Sequence, residues 1–304
     1  MTYQEFKTSI LSDLPALLPR DTGISLKQIT KNNDRLLDGL VLMPPDTNIG
    51  PTFYLNDYFR EFEKGASYDS ILSGIARLYE ECRIHEDVNI SFFSDFEEIR
   101  DRIVFRLVNR KKNARLLSDV PYLPWQDLAI VFCCLLQVSG EMMSSILLHE
   151  SHLALWDVTV KDLMHYAGIN TPVLLPPDIF DINTLLTSHQ LPLPELESSC
   201  PLLVLTNENR MNGAASLLYP GILQNIAEKM ECDLFIIPSS IHEVLLFPVS
   251  GDGPVPDIAD LNRRIPEVNA EPVSPGEVLS DHVYLYSRSQ NAVICPTEEY
   301  LAAS

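Results

Sequence analysis

A short apolar run from Leu128 to Leu136 (LAIVFCCLL) limits the fold more than any other feature of this sequence. A helix needs about 20 apolar residues to cross a bilayer, so this run is too short to do so and is typical of a buried strand. Two similar runs, Ile103 to Val108 and Ser145 to Leu148, lie close to it in the chain. Parallel pairing requires a long crossover, so these short connections predict antiparallel core strands in one sheet.

Helical periodicity appears on both sides of these strands. Apolar residues recur at helical spacing from Tyr3 to Leu17 and again from Tyr68 to Cys82. Thr159 precedes an apolar stripe and is followed three residues later by Asp162, an arrangement that predicts a capped helix start. The pattern as a whole predicts an α+β protein with a mixed or mostly antiparallel sheet and flanking helices.

Prolines are concentrated near the middle of the chain. This enrichment predicts an N-terminal α+β region over residues 1–171, a proline-rich connection over 172–201 and a C-terminal strand–helix–hairpin region over 202–304. One continuous domain is the alternative interpretation. No feature of the sequence specifies an oligomeric state.

Charge and cysteine usage indicate a compartment and exclude some partners. The net charge of −20 repels phosphate backbones and anionic headgroups, so we expect neither nucleic acid nor a membrane as partner. Glu5, Lys7 and Asp13 interrupt the opening residues, so we expect no secretory signal there. The six cysteines are scattered without CxxC spacing, as is typical of reduced thiols in a cytoplasmic protein.

The sequence contains none of the GxGxxG, GxxxxGK[ST], HExxH and GxSxG signatures. We therefore expect no cofactor. The usual sequence evidence for dinucleotide binding, P-loop hydrolysis, a zincin or a classical esterase is absent. His149 and His152 have a spacing that would suit a metal only with a third ligand from elsewhere, so we predict no metal site. A basic run from Arg100 to Arg115 is expected to pair with carboxylates of the same chain, and a polyanion partner is the alternative.

The segment Ser239-Ser240-Ile241-His242-Glu243 is the candidate for catalysis. Its hydroxyl, imidazole and carboxylate groups are those of a nucleophile, a base and an orienting group. Neighbours on one turn point in different directions, however. The alternative is a turn whose serine hydroxyls bond nearby backbone amides and whose Glu243 faces water.

A second polar segment offers candidate ligand-binding residues. It runs from the end of a predicted strand to the start of a predicted helix. Free amides at a helix start bind anions, and an arginine there would add positive charge. The alternative is that the asparagines form and cap a turn. The candidates are Asn207, Asn209, Arg210, Asn212 and Gly213.

Four stretches of the sequence resemble a known bacterial family. They are LLVLTNENRMNGAASLLYPGILQNIAEKMECDLFIIPSSIHEVLLFP from Leu202, YLNDYFREFEKG from Tyr54, VPYLPWQDLAIVF from Val120 and LSDHVYLY from Leu279. They resemble domain-of-unknown-function family 5688, which is widespread in anaerobic Firmicutes. The resemblance covers most of the chain and implies a bacterial, cytoplasmic protein. It brings no activity, cofactor or catalytic residue.

Two functions remain open at this point. The missing catalytic signatures and the acidic charge favour a non-catalytic binding or regulatory protein with a protein or a small ligand as partner. The alternative is a hydrolase or transferase that uses the polar segment at Ser239 to Glu243, with Arg210 as anion anchor. Catalysis would require these side chains to converge within hydrogen-bond reach.

Overall fold

The computed structural model describes residues 1–45, 47, 50–82, 91–139, 142–181, 202–238, 240–249, 262–263 and 273–295. The chain divides into two compact units, residues 1–92 and residues 93–304. The predicted proline-rich connection falls within the second unit, and its residues 182–201 lie outside the described part. A domain boundary at 172–201 stays a prediction.

In its described residues, the first unit combines three α-helices with a small antiparallel sheet. Its elements are α1 Tyr3–Asp13, β1 Gly23–Lys31, β2 Arg35–Met43, β3 Thr52–Tyr54, α2 Leu55–Glu63 and α3 Tyr68–Cys82. The strands lie in the order β1-β2-β3. The predicted apolar stripe of α1 buries Phe6 and Ile10 in one core with Leu40 of β2 and Ile75 of α3. The salt bridge of Lys7 to Asp38, at 2.8 Å, fastens α1 to β2 and lowers the pKa of Asp38.

The second unit begins with a four-stranded sheet around the predicted core strand. Its elements are α4 Phe96–Ile99, β4 Ile103–Asn109, β5 Tyr122–Trp125, β6 Leu128–Ser139, β7 Met142–Leu147, α5 Glu150–Trp156 and α6 Val160–Leu174. β6 is central: β4 pairs along one side of it, and β5 and β7 pair along the other. Phe132 at its middle has no exposed surface, which confirms the buried strand predicted from the apolar run.

Helix α6 starts as its sequence predicts and packs against β4. The Thr159 hydroxyl accepts a hydrogen bond from the Asp162 amide, and the Asp162 carboxylate accepts one from the Thr159 amide. The Thr171 hydroxyl in turn accepts the amide of Phe105 in β4 at 3.1 Å. The helix continues through Pro172 to Leu174, so the start of the predicted connection is helical.

A six-stranded sheet completes the second unit. Its elements are β8 Pro177–Asp181, β9 Leu203–Asn207, α7 Ile222–Met230, β10 Leu234–Ile237, β11 Val244–Pro248, β12 Tyr284–Ser287 and β13 Ala292–Ile294. The strand order is β13-β12-β10-β11-β9-β8, and every pairing is antiparallel. The α+β class with antiparallel sheets is therefore confirmed. Within the described residues, no helix is both long enough and apolar enough to cross a membrane.

Candidate functional site

The two polar segments singled out in the sequence lie against each other in the structure. Strands β9 and β11 are paired antiparallel, with Leu205 opposite Val244, so the end of β9 and the start of β11 share one sheet edge. The Thr206 hydroxyl donates to the carbonyl of His242 at 2.7 Å. The backbone amide of Asn212 donates to Nδ1 of the same histidine at 3.3 Å.

Gly213 allows this close approach of the two segments. A Cβ at this position would lie 2.5 Å from the His242 carbonyl oxygen and 2.6 Å from the Asn207 amide, and would also contact the Thr206 hydroxyl. The next amide, that of Ala214, donates to the carbonyl of Ile241 at 3.2 Å. Only a residue without a side chain fits at this point, because the two backbones are too close for a Cβ.

Three backbone amides of the predicted ligand-binding segment, those of Arg210, Met211 and Asn212, donate to groups of the same chain. Arg210 donates its amide to the Asn207 carbonyl at 2.9 Å, and Met211 donates to Oδ1 of Asn207 at 3.2 Å. Nδ2 of Asn207 donates a hydrogen bond to the Met211 carbonyl at 2.9 Å. Arg210 and Asn212 both have φ of 54°, a left-handed conformation that asparagine tolerates well. These contacts support the turn-forming role of the asparagines.

Asn209 and Arg210 differ in their exposure. Asn209 is half-buried and has a partner within the chain. The Arg210 guanidinium is exposed and lies 5.4 Å from the centre of the Phe180 ring on the neighbouring β8. Ligand binding by this segment stays a prediction, and the guanidinium is the group most available for it.

The Ser240 hydroxyl and the His242 ring each accept a backbone amide. Oγ of the buried Ser240 accepts the amide of His242 at 3.0 Å. Because Nδ1 of His242 accepts the Asn212 amide, the neutral ring carries its proton on Nε2, which lies 3.8 Å from Oε1 of Glu277. No hydrogen bond joins the Ser240 hydroxyl to the His242 ring. Glu243 is exposed, and Ser239 lies outside the described residues.

Ser280, Asp281 and His282 form a second Ser-X-His turn beside the first one, which runs from Ser240 to His242. The second turn was not singled out as a site from the sequence. Oγ of Ser280 accepts the amide of His282 at 3.0 Å, as Ser240 does for His242. The backbones of the two turns are bonded to each other: Ser280 donates to Pro238 at 2.9 Å, and Ile241 donates to Glu277 at 2.8 Å. The shared Ser-X-His spacing in SSIHE and LSDHV is the sequence signal that would have revealed this second turn.

Asp127 connects this second turn to the other sheet of the same unit. Its Oδ2 accepts the Ser280 hydroxyl at 2.8 Å and lies 3.2 Å from Nδ1 of His282. Its Oδ1 accepts the hydroxyl of Tyr284. Burial and then the negative charge of Asp127 raise the pKa of Tyr284. Asp127 sits in the turn between β5 and β6, while its three partners come from LSDHVYLY, so two of the resembling motifs meet here.

A polar cleft of about 540 Å³ lies between helix α7 and the β12–β13 hairpin. The Tyr286 hydroxyl donates to Oδ1 of Asn291 at 2.7 Å. Oδ1 of Asp233 accepts the backbone amide of Arg288 at 2.9 Å. The cleft is lined by Gln224, Glu228, Asp233, Tyr286, Arg288, Ser289 and Asn291. These residues are dispersed in the sequence, and no local motif marked them.

The two histidines considered for metal binding support a helix start instead. Nδ1 of His149 lies 2.8 Å from Oδ2 of Asp119, and Nδ1 of His152 accepts the His149 amide at 3.0 Å. The His152 ring stacks on Trp156, and burial, followed by His149, lowers its pKa. In the described part of the chain, no three His, Cys, Asp or Glu side chains are grouped so as to hold a metal ion.

Members of the basic run pair with nearby groups of the chain. Arg100 forms a salt bridge with Glu97 and lies over the ring of Tyr166. Lys112 pairs with Asp281 at 2.8 Å, next to the second Ser-X-His turn. These contacts support the expected internal pairing for both residues.

Comparison with curated proteins and with solved structures gave no match to the chain. A family model described as "Family of unknown function (DUF5688)" matches residues 3–288, which is nearly the whole chain. The chain therefore belongs to this family of unknown function, as the four resembling stretches indicated.

Proposed function

We propose that this chain is a non-catalytic binding or regulatory protein of the cytoplasm, with a protein or a small ligand as its partner. The observation that carries this proposal is the use of the candidate catalytic groups. The Ser240 hydroxyl accepts the His242 amide, and Nδ1 of His242 accepts the Asn212 amide. A serine nucleophile requires the hydroxyl to donate to the ring of its base, and these two groups are instead bonded to backbone.

Three of the six cysteines support the same proposal. Cys133 and Cys134 are buried in β6, and burial raises the pKa of the Cys134 thiol to about 11. Cys295 is exposed, yet burial of its thiol and the charge of Asp127 raise its pKa as well. The thiolate is the reactive form of cysteine, so a raised pKa disfavours nucleophilic chemistry at all three.

Covalent labelling tests the non-catalytic half of the proposal. A fluorophosphonate probe reacts with activated serines, and we expect no adduct on Ser240 when the intact protein is analysed by mass spectrometry. Ser240→Ala is the test variant and Ser280→Ala is its matched control, since the two serines share the same local geometry. An adduct that maps to Ser240 and disappears only in Ser240→Ala would favour the hydrolase alternative.

Ligand screening tests the binding half. We expect a compound or partner protein that raises the melting temperature, because selective binding to the folded state stabilises it. Mass spectrometry of the recovered compound distinguishes binding from turnover. A compound recovered unchanged supports the proposal, whereas one converted in proportion to protein concentration contradicts it.

A further inference from the structure

The polar cleft between α7 and the β12–β13 hairpin presents charges that no side chain of opposite sign neutralises within the described residues. Oε1 of Glu228 accepts a bond from the neutral Gln224 amide at 2.8 Å, and Oδ1 of Asp233 accepts the Arg288 backbone amide. The Arg288 guanidinium has no carboxylate within ion-pair distance among the described residues. Among the described residues, the cleft therefore contains two carboxylates and one guanidinium that have no ion-pair partner.

The three charged residues line the cleft together, with Glu228 and Arg288 exposed and Asp233 half-buried. The pKa of Tyr286 is raised by burial and then by Glu228 and Asp233, while Arg288 lowers it. Tyr286 is itself buried, with 3% of its surface exposed, and its hydroxyl donates to Asn291. The phenolic oxygen and the Asn291 side-chain amide thus supply neutral hydrogen-bonding groups between charges of both signs.

We propose that this cleft binds a small zwitterion with a surplus ammonium group, of which a dibasic amino acid such as lysine is the simplest example. The inference rests on the proposed binding function. A ligand carboxylate would pair with Arg288, as guanidinium groups favour. Two ammonium groups would pair with Glu228 and Asp233. The cleft volume of about 540 Å³ falls within the range of ordinary ligand sites, roughly 300–1,000 Å³.

The same charges disfavour simpler ligands. A dicarboxylate would face the carboxylates of Glu228 and Asp233 with only one guanidinium to neutralise it. A diamine without a carboxylate would place two ammonium groups near the Arg288 guanidinium and bring no negative charge to pair with it. The ligand that satisfies all three protein charges carries one negative and two positive groups.

Isothermal titration of the full chain with three compounds tests this assignment. L-lysine carries all three charged groups, cadaverine lacks the carboxylate, and L-norleucine lacks the side-chain ammonium. We expect lysine to bind about threefold to fivefold more tightly than either of the others, since an ion pair between exposed groups contributes up to about 1 kcal/mol. Absence of binding by lysine, or equal binding of all three, would overturn the proposal.

Variants locate the binding and provide matched controls. Arg288→Gln should weaken lysine binding about threefold to fivefold and leave cadaverine binding no weaker, whereas Glu228→Gln should weaken the binding of both. Lys229→Gln and Glu231→Gln remove the same charges from nearby exposed positions that do not line the cleft, and we expect changes within about twofold. Equal losses in the control variants would mean general charge attraction and would overturn the site.

Failure of this inference is distinguishable from failure of the proposed function. If lysine does not bind and Ser240 forms no adduct with the fluorophosphonate, the cleft assignment is wrong and the non-catalytic proposal stands. If Ser240 is labelled, the proposed function is wrong whatever the titrations give.

Discussion

The two Ser-X-His turns share one local structure and differ in the group that each imidazole meets. In both, the serine hydroxyl accepts the amide of the histidine two residues later at 3.0 Å. Nδ1 of His242 meets a backbone amide, which can only donate. Nδ1 of His282 meets the carboxylate of Asp127, which can only accept. In the neutral form of each ring, the same turn therefore favours opposite tautomers, since the partner of one ring nitrogen decides which nitrogen carries the proton.

The two Ser-X-His turns also differ in the parts of the protein that they connect. The turn at Ser240 contacts the segment that follows β9, so its bonds remain within the six-stranded sheet and its connections. The turn at Ser280 bonds to Asp127 and thereby joins this sheet to the four-stranded one. A local motif thus sets the backbone conformation, while long-range partners set its structural role.

The largest expected effect is on the first turn, through Gly213→Ala. The new Cβ would lie 2.5 Å from the His242 carbonyl oxygen and 2.6 Å from the Asn207 amide. Both are backbone atoms that cannot rotate away, so we expect a loss of about 3 kcal/mol in the free energy of unfolding. Urea denaturation followed by circular dichroism measures it.

Gly168→Ala is the control for this substitution, because a Cβ there has open space around it in helix α6. We expect a gain of roughly 0.5–1 kcal/mol from the better helix propensity of alanine. Equal stability of Gly213→Ala and wild type would mean that the two polar segments are not packed as closely as the comparison requires.

The second turn is expected to be most sensitive at Asp127. Asp127→Asn keeps the shape of the side chain but leaves one acceptor oxygen for three donors, two of them on the buried Ser280 and Tyr284. We expect a loss of about 2–3 kcal/mol, because buried donors without acceptors are costly.

Asp281→Asn is the matched control for the loss of charge. Asp281 pairs with Lys112 at a partly exposed position, with 35% of its side chain accessible. Such pairs contribute about 0–1 kcal/mol. Similar losses in the two variants, measured by urea denaturation, would contradict the view that Asp127 joins the two sheets.

The sequence predicts elements that arise from patterns among neighbouring residues. It does not predict contacts between residues that are far apart in the chain. The stripe of α1 and the apolar run of β6 are repetitive over neighbouring residues, so they predict elements directly. Asp127 and Ser280 are 153 residues apart in the chain, and no periodicity connects them. The hydrogen-bonded role of Ser240 was among the alternatives because it is formed between residues two positions apart.

The serines themselves give a direct contrast between the turns. Ser240→Ala removes one acceptor for the His242 amide, and we expect a loss of about 1 kcal/mol. Ser280→Ala removes the equivalent acceptor and also the donor to Asp127, so the expected loss is about 1.5–2 kcal/mol. Thermal or urea unfolding of the two variants side by side measures the difference. If Ser240→Ala were the more destabilised variant, the Asp127 contact would have no net stabilising effect.

The smallest expected effect is a spectroscopic difference between the two histidines of the wild-type protein. The ¹⁵N shifts of histidine rings distinguish the nitrogen that carries the proton in a neutral imidazole. In the neutral form of each ring, we expect His242 to carry its proton on Nε2 and His282 to carry it on Nδ1. His242→Gln and His282→Gln assign the two signals. In Asp127→Asn, the side chain can turn an NH₂ group toward His282, so its preference for the Nδ1 proton should weaken while His242 is unchanged. The same tautomer at both positions in the wild-type protein would mean that the turn itself, and not the partner of Nδ1, sets the protonation.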